Sequence, residues 1–256
     1  MRRSRGWAFA VALSVAVLWA TTARADDDAG RALLKQVIDA VPKVPFIAKM
    51  ILKSQNGLVR EMTLERKPTK EGDATYLEVT APDNLKDTRF LFFERGPAGT
   101  SQYMYVPFMK RTIQIRDEAR KQPFLGSEFY VSDLILPDLD AFKYAVVGQE
   151  TVGGRACTLV QSEPKTPGPD EMYSRLVLAI DPKDSLILRT QFYDPKGNLM
   201  KVWTIDKFEQ VDSYWTPMQQ TVANVPENTQ SVLTLTEVKY NANVPDLVFT
   251  KPHLER

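Results

Sequence analysis

The sequence predicts a mainly β chain with helices, an α+β fold in which one curved antiparallel meander is covered by an N-terminal helix and a mid-chain helical segment. Three observations carry this. A helical period is confined near the start to residues 29–41, and after it roughly a dozen stretches alternate apolar and polar positions. Tight turns join most of those stretches with no helix between them, which brings consecutive strands together antiparallel. Alternation then fails over residues 122–142, where Glu128, Val131, Leu134 and Ile135 fall at helical spacing behind Gly126-Ser127 and Pro137 ends the element. So many strands cannot remain a flat open sheet without curling.

The chain begins with the layout of a secretory signal peptide. Arg2, Arg3 and Arg5 precede an apolar run over residues 7–20, and Ala23-Arg24-Ala25 offers an A-x-A cleavage site. The run is shorter than the roughly 20 residues that span a bilayer. Cleavage after Ala25 leaves residues 26–256 as one domain with no transmembrane segment, exported to the periplasm. The only cysteine, Cys157, is far from that site, so no lipid-attachment cysteine lies there. The net charge of +1 drops by four when Arg2, Arg3, Arg5 and Arg24 leave. A nearly neutral surface argues against nucleic acid, which demands a concentrated basic face. The one local exception is the run Lys110, Arg111, Arg116, Arg120 and Lys121, which Asp117 and Glu118 interrupt and which reads as a solvated loop or strand. One cysteine permits no internal disulfide.

Residues 29–41 place Ala32, Leu33, Val37, Ile38 and Val41 on one helix face, with Asp26–Asp28 at the end where the dipole favours acids, and Pro42 and Pro45 stop the helix. Strands follow at 47–53 and 58–67, flanking Asn56-Gly57, a dipeptide suited to a type I′ hairpin turn. Further strands are expected at 75–80, 88–93, 102–106 and 110–115, then at 144–150 and 155–162 around Gly153-Gly154. The series closes with 174–180, 186–193, 199–208, 215–223 and 231–240. The mid-chain segment and the first helix together can cover one mouth or face of the curled sheet.

Several strands are apolar on both faces. Phe90 and Phe92 oppose Leu91 and Phe93; Leu176, Leu178 and Ile180 oppose Val177 and Ala179; Leu186, Leu188 and Phe192 oppose Ile187 and Tyr193. A sheet coated by helices requires this, and so does a sheet enclosing a greasy cavity. Aromatics and methionines crowd residues 103–109. On the cavity reading the lining residues are Phe90, Phe92, Tyr103, Tyr105, Leu176, Leu178, Leu188 and Phe192.

The usual catalytic assemblies are missing. His253, the only histidine, stands three residues from the end, so no Ser-His-Asp or Cys-His unit forms unless that position folds back. Metal sites want His or Cys clusters, and neither occurs. Gly153-Gly154 reads as a turn between strands, and Gly126-Ser127 lacks the second glycine of a nucleophile elbow. The acidic pairs Asp138/Asp140 and Asp170/Glu171 lie in proline-containing segments. The sequence points away from an enzyme, a cofactor or a metal.

This layout resembles the LolA-like (LolA/LolB-like) outer-membrane lipoprotein-sorting proteins, in particular a branch whose middle region carries a proline and basic residues, a Phe-x-Gly-Ser-x-Phe segment and an Asp-Leu pair. Here those positions are Pro107, Lys110 and Arg111, then Phe124, Gly126, Ser127 and Phe129, then Asp133-Leu134. The resemblance implies a half-open barrel with helices as a lid over a hydrophobic cavity, and a cargo of lipid or acylated lipoprotein. It also implies a functional arginine, for which Arg60, Arg89 and Arg111 all qualify. The function it implies is a periplasmic carrier or chaperone that shelters acyl chains. The alternative is a periplasmic adaptor or sensor that binds an inner-membrane exporter of the resistance-nodulation-division type, or a regulatory protein, with residues 122–142 as the contact.

Overall fold

The computed structural model describes residues 20–256 apart from 71, 97–98, 136–137 and 169–170, and without the side chains of 20–27, 95–96 and 117. Most of the expected signal peptide, Pro137 and Asp170 therefore lie outside the described residues. Helix α1 (Ala20–Ala40) leads. It begins earlier than the expected residue 29, so Asp26–Asp28 sit inside it and not at its positive end. Six strands follow: β1 (Phe46–Ser54), β2 (Val59–Thr69), β3 (Gly72–Ala81), β4 (Arg89–Gly96), β5 (Gly99–Val106) and β6 (Arg111–Gln114). Seven more strands complete the count among the described residues: β7 (Phe142–Val152), β8 (Arg155–Pro164), β9 (Arg175–Asp181), β10 (Leu186–Tyr193), β11 (Leu199–Val211), β12 (Tyr214–Asn224) and β13 (Thr229–Tyr240). Each expected strand is present; several are longer by a few residues where turn-flanking positions also pair, and the one expected at 110–115 is shorter, Arg111–Gln114.

All thirteen lie in one sheet, ordered β6-β5-β4-β3-β2-β1-β13-β12-β11-β10-β9-β8-β7. The expected meander is two meanders. The first runs outward from β1 to the edge strand β6, and the second runs from the opposite edge, β7, back to β13, which pairs with β1. Residues 115–141 must therefore cross the sheet from one edge to the other. The sheet is open, as a half-barrel is.

The β1–β2 turn differs from expectation. Only Gly57 has a positive φ, 84°. Gly57 N–H donates to Ser54 O at 2.9 Å, and Ser54 N–H to Leu58 O at 2.9 Å. That is a turn closed by a left-handed glycine, not type I′, which needs two positive φ values. The crossing differs too. It contains short 3₁₀ turns at Asp117–Lys121, Phe124–Gly126 and Val131–Leu134 in place of one helix. A chain spanning the sheet's width needs more reach than an α-helix provides at 1.5 Å per residue.

Pairing defines an inner face, on which the crossing and α1 both pack. Met62, Leu77, Phe90 and Phe92 there meet Ile115, Phe124, Phe129 and Val131 of the crossing. Leu34 of α1 meets Tyr144, Val160, Leu178 and Ile180. Register joins the two clusters, since Phe192 opposes Lys201 and Trp203 packs edge-on against Phe129 with centroids 5.2 Å apart. The outer face of β3–β5 is covered by the C-terminal segment, where Val248, Phe249 and Leu254 bury Tyr76 and Leu91 beside Tyr103 and Tyr105.

His253 folds back with that segment. Its ring meets Tyr76 edge-on at 5.3 Å, and Thr250 caps helix α2 (Lys251–Leu254) by accepting from His253 N–H. Burial, with Arg256 and Arg89 nearby, lowers its pKa below 6.5. The unfolded chain thus binds a proton that the folded chain does not, and stability falls as pH drops through the unfolded value. The thermal midpoint is expected to fall between about pH 7 and pH 5, with a smaller fall in His253→Phe. Identical pH slopes in the two proteins would count against this.

Candidate functional site

Between the crossing and α1 the inner face is not filled. A half-enclosed cleft of about 830 Å³ lies over β9–β12, a size within the ~300–1,000 Å³ of small-ligand sites. Leu34, Val37, Ile38 and Val41 of α1 and its exit form one wall; Leu176, Leu178, Phe192 and Trp203 form the floor. The helix presents these residues because 3.6 residues per turn put positions 34, 37, 38 and 41 on one side. Phe46 and Tyr240, with rings tilted at 43° and centroids 5.3 Å apart, mark the far end beside Arg66 and Arg120. Leu34 fixes this wall to the sheet, and α1 adds an exposed Arg31–Asp140 pair at 2.5 Å, a contact of small energetic value. An apolar cleft of this kind can take up a hydrocarbon chain, which gains about 0.8 kcal/mol per CH₂ removed from water.

Of the eight expected lining residues, Leu176, Leu178 and Phe192 line the cleft. Phe90 and Phe92 share the inner face but are covered by the crossing, Phe90 against Phe124 at 5.1 Å. Tyr103 and Tyr105 are on the outer face under the C-terminal segment, because they oppose Leu91 and Arg89 of β4. Leu188 also faces outward, with Cys157 and Ala179. Its displacement has a local cause. Register slips between Ile187 and Arg189, so Leu188 is an extra residue in a bulge, and Phe192 shares its face with Ile187 and not with Leu188.

The motif residues at 124–133 anchor the crossing to the sheet. Arg60, on β2, is fully buried and donates to Ser54 Oγ at 2.7 Å, Leu58 O at 3.2 Å, Gly126 O at 2.9 Å and Leu125 O. Leu125 and Gly126 both have left-handed backbones, φ 51° and 68°, within the turn whose carbonyls Arg60 binds. No carboxylate pairs with Arg60 among the described residues, and burial lowers its pKa. Ser127 Oγ donates to Phe124 O at 2.7 Å and accepts from Phe129 N–H at 3.2 Å, closing the turn. Ser127 is therefore a turn brace.

A second anchor closes the cleft's inner end. Asp133 and Lys201 form an ion pair with side chains 1% and 2% exposed. Asp133 also accepts from Tyr130 N–H at 2.9 Å and from Tyr173 OH at 2.9 Å. The Lys201 ammonium lies 4.1 Å from the Tyr130 ring centre and 4.7 Å from that of Phe192. Burial pulls the Lys201 pKa down, and burial beside Asp133 pushes the Tyr173 pKa up. Lys201 and Tyr173 were not among the expected site residues. The signal for Lys201 was its parity: it shares the strand face of Trp203 and Ile205.

Of the three candidate arginines, Arg60 alone grips the crossing. Arg89 pairs with Glu78 at 3.1 Å and donates to Leu254 O at 3.3 Å and to Arg256 O; Arg111 is exposed on β6 beyond the exposed turn that holds Pro107. Residues 122–142, the expected contact of the adaptor reading, turn Phe124, Phe129 and Val131 into the core.

A family described as an uncharacterized protein matches residues 71–256. No curated protein matches the chain. Among solved structures, a domain described as an outer membrane lipoprotein-sorting protein from Vibrio parahaemolyticus is 22% identical with a TM-score of 0.82, covering 90% of this chain and 100% of that one. A DUF1329 family protein from Desulfovibrio piger is 23% identical with a TM-score of 0.82, covering 90% and 99%. A LolA superfamily protein from Nitrosomonas europaea is 14% identical with a TM-score of 0.66, covering 88% and 98%. With the match over residues 71–256, the chain belongs to the uncharacterized family so described, and its open thirteen-stranded sheet has a LolA-like fold.

Proposed function

We propose that this chain is an exported periplasmic carrier or chaperone for lipids or lipid-modified proteins, released by cleavage after Ala25 and acting as one domain over residues 26–256. The observation that carries the reading is the largely apolar cleft walled by α1 and floored by β9–β12, which offers a hydrocarbon chain a place out of water. The role is binding and not catalysis, and the cargo is an acyl chain on a lipid or a lipoprotein. Release is eased if α1, whose Leu34 already touches Leu178, closes further over Leu176 when the cleft empties, since the empty state is then tolerable. The lipoprotein-sorting description of the Vibrio parahaemolyticus domain is compatible with this cargo.

The test is direct. Protein purified from its native compartment should carry extractable lipid by mass spectrometry and should bind a fluorescent fatty-acid probe. Leu176→Trp, which fills the floor of the cleft from a half-buried position, is expected to weaken probe binding about tenfold or more while leaving the fold intact, the loss of a few buried methylenes' worth of contact. A lipid-free protein that ignores the probe, or a Leu176→Trp variant that binds it as well as the wild type, defeats the reading.

A further inference from the structure

We propose that the turn between β5 and β6 is a docking tip for an anionic phospholipid surface, a role separate from whatever the cleft holds. The turn, Pro107–Met109, is a 3₁₀ element with no buried residue. Phe108 is 87% exposed and Met109 41%, which makes Phe108 the most exposed of the large hydrophobic side chains described. A single exposed apolar residue is ordinary on a protein surface. Two adjacent ones on a stiff turn, with cations directly behind them, are a different arrangement.

The turn is held in one shape. Pro107 fixes the first φ, Lys110 closes the turn in the left-handed region at φ 46°, and Lys110 N–H donates to Pro107 O at 3.0 Å. The tip therefore inserts without first being ordered. Lys110 and Arg111 follow at once, both exposed, and no ion pair engages either among the described residues. From residue 95 to residue 116 the sequence carries Arg95, Lys110, Arg111 and Arg116 and no acid at all. Apolar side chains at the apex with uncompensated cations one residue behind match the profile of an anionic bilayer, whose apolar interior lies just below charged headgroups. An acidic protein groove lacks that depth order, and the observations favour the lipid surface.

The experiment is cosedimentation with vesicles of phosphatidylglycerol or of phosphatidylcholine alone, using protein from expression of the full chain. Wild-type protein is expected to partition onto the anionic vesicles and to be released by salt. Phe108→Ser with Met109→Ser is expected to weaken that partition roughly tenfold, and Lys110→Glu with Arg111→Glu by at least as much. All four positions are exposed, so melting temperatures should match and a folding defect cannot mimic the result. No binding to anionic vesicles, or binding that both double variants retain in full, overturns the proposal. Retained fatty-acid probe binding in the same variants keeps the outcome distinct from that of the cleft.

Discussion

Arg60→Ala is expected to destabilise the protein by about 4 kcal/mol, a large share of the 5–15 kcal/mol typical of a whole domain. The reason lies in what the guanidinium holds. Gly126 O accepts from it at 2.9 Å and Leu125 O accepts as well, so the substitution takes a charged donor from two carbonyls of the crossing at once. A hydrogen bond to a charged group contributes about 1.5–3 kcal/mol. Leu125 shows what the guanidinium restrains, because a left-handed φ of 51° disfavours a side-chain-bearing residue by about 1–2 kcal/mol and the turn relaxes once it is released. Arg60→Lys is expected to recover little, since one ammonium cannot reproduce a planar fork directed at two carbonyls and Ser54 Oγ. Urea denaturation measures the loss, and limited proteolysis should show residues 115–141 cut first. A loss below about 1 kcal/mol for Arg60→Ala would mean the crossing is held mainly by Phe124 and Phe129.

Lys201→Met is expected to cost about 3–5 kcal/mol, because it leaves the Asp133 carboxylate buried without its cation. Tyr130 N–H and Tyr173 OH still donate to that carboxylate but do not neutralise it. Asp133→Asn strands the ammonium instead, among the rings of Tyr130, Tyr173 and Phe192, with a similar loss. The double variant Lys201→Met with Asp133→Asn removes both charges and is expected to recover at least half of the combined single losses, a coupling that denaturation curves report directly. Additive losses would show that the two groups act independently. Because Asp133 belongs to the crossing and Tyr173 to the loop before β9, the single variants should also loosen the inner end of the cleft.

These two anchors were partly legible before any fold was known. Arg60 shares a strand face with Met62 and Leu64, and Lys201 shares one with Trp203 and Ile205. A cation on an apolar face must either be misplaced or have a buried partner. Naming the partners required the fold, since Leu125 lies 65 residues from Arg60 and Asp133 lies 68 from Lys201. Leu188 shows the same boundary from the other side. Strict alternation put it with Phe192, and one extra residue in β10 reversed that, since a shift of one position moves a side chain through the sheet. Tyr103 and Tyr105 alternate as well as any cavity residue does, yet a segment more than 130 positions later covers them.

The order of amino acids alone settles the thirteen strands, the first helix and the break at mid-chain, because turn residues and side-chain period act within a few positions. Which inner surface is filled and which is left as a cleft follows from β13 pairing with β1 and from the route of residues 115–141 between the two edges. Those are contacts between distant parts of the chain, chosen by the competition of whole surfaces for burial, and no local pattern encodes their outcome.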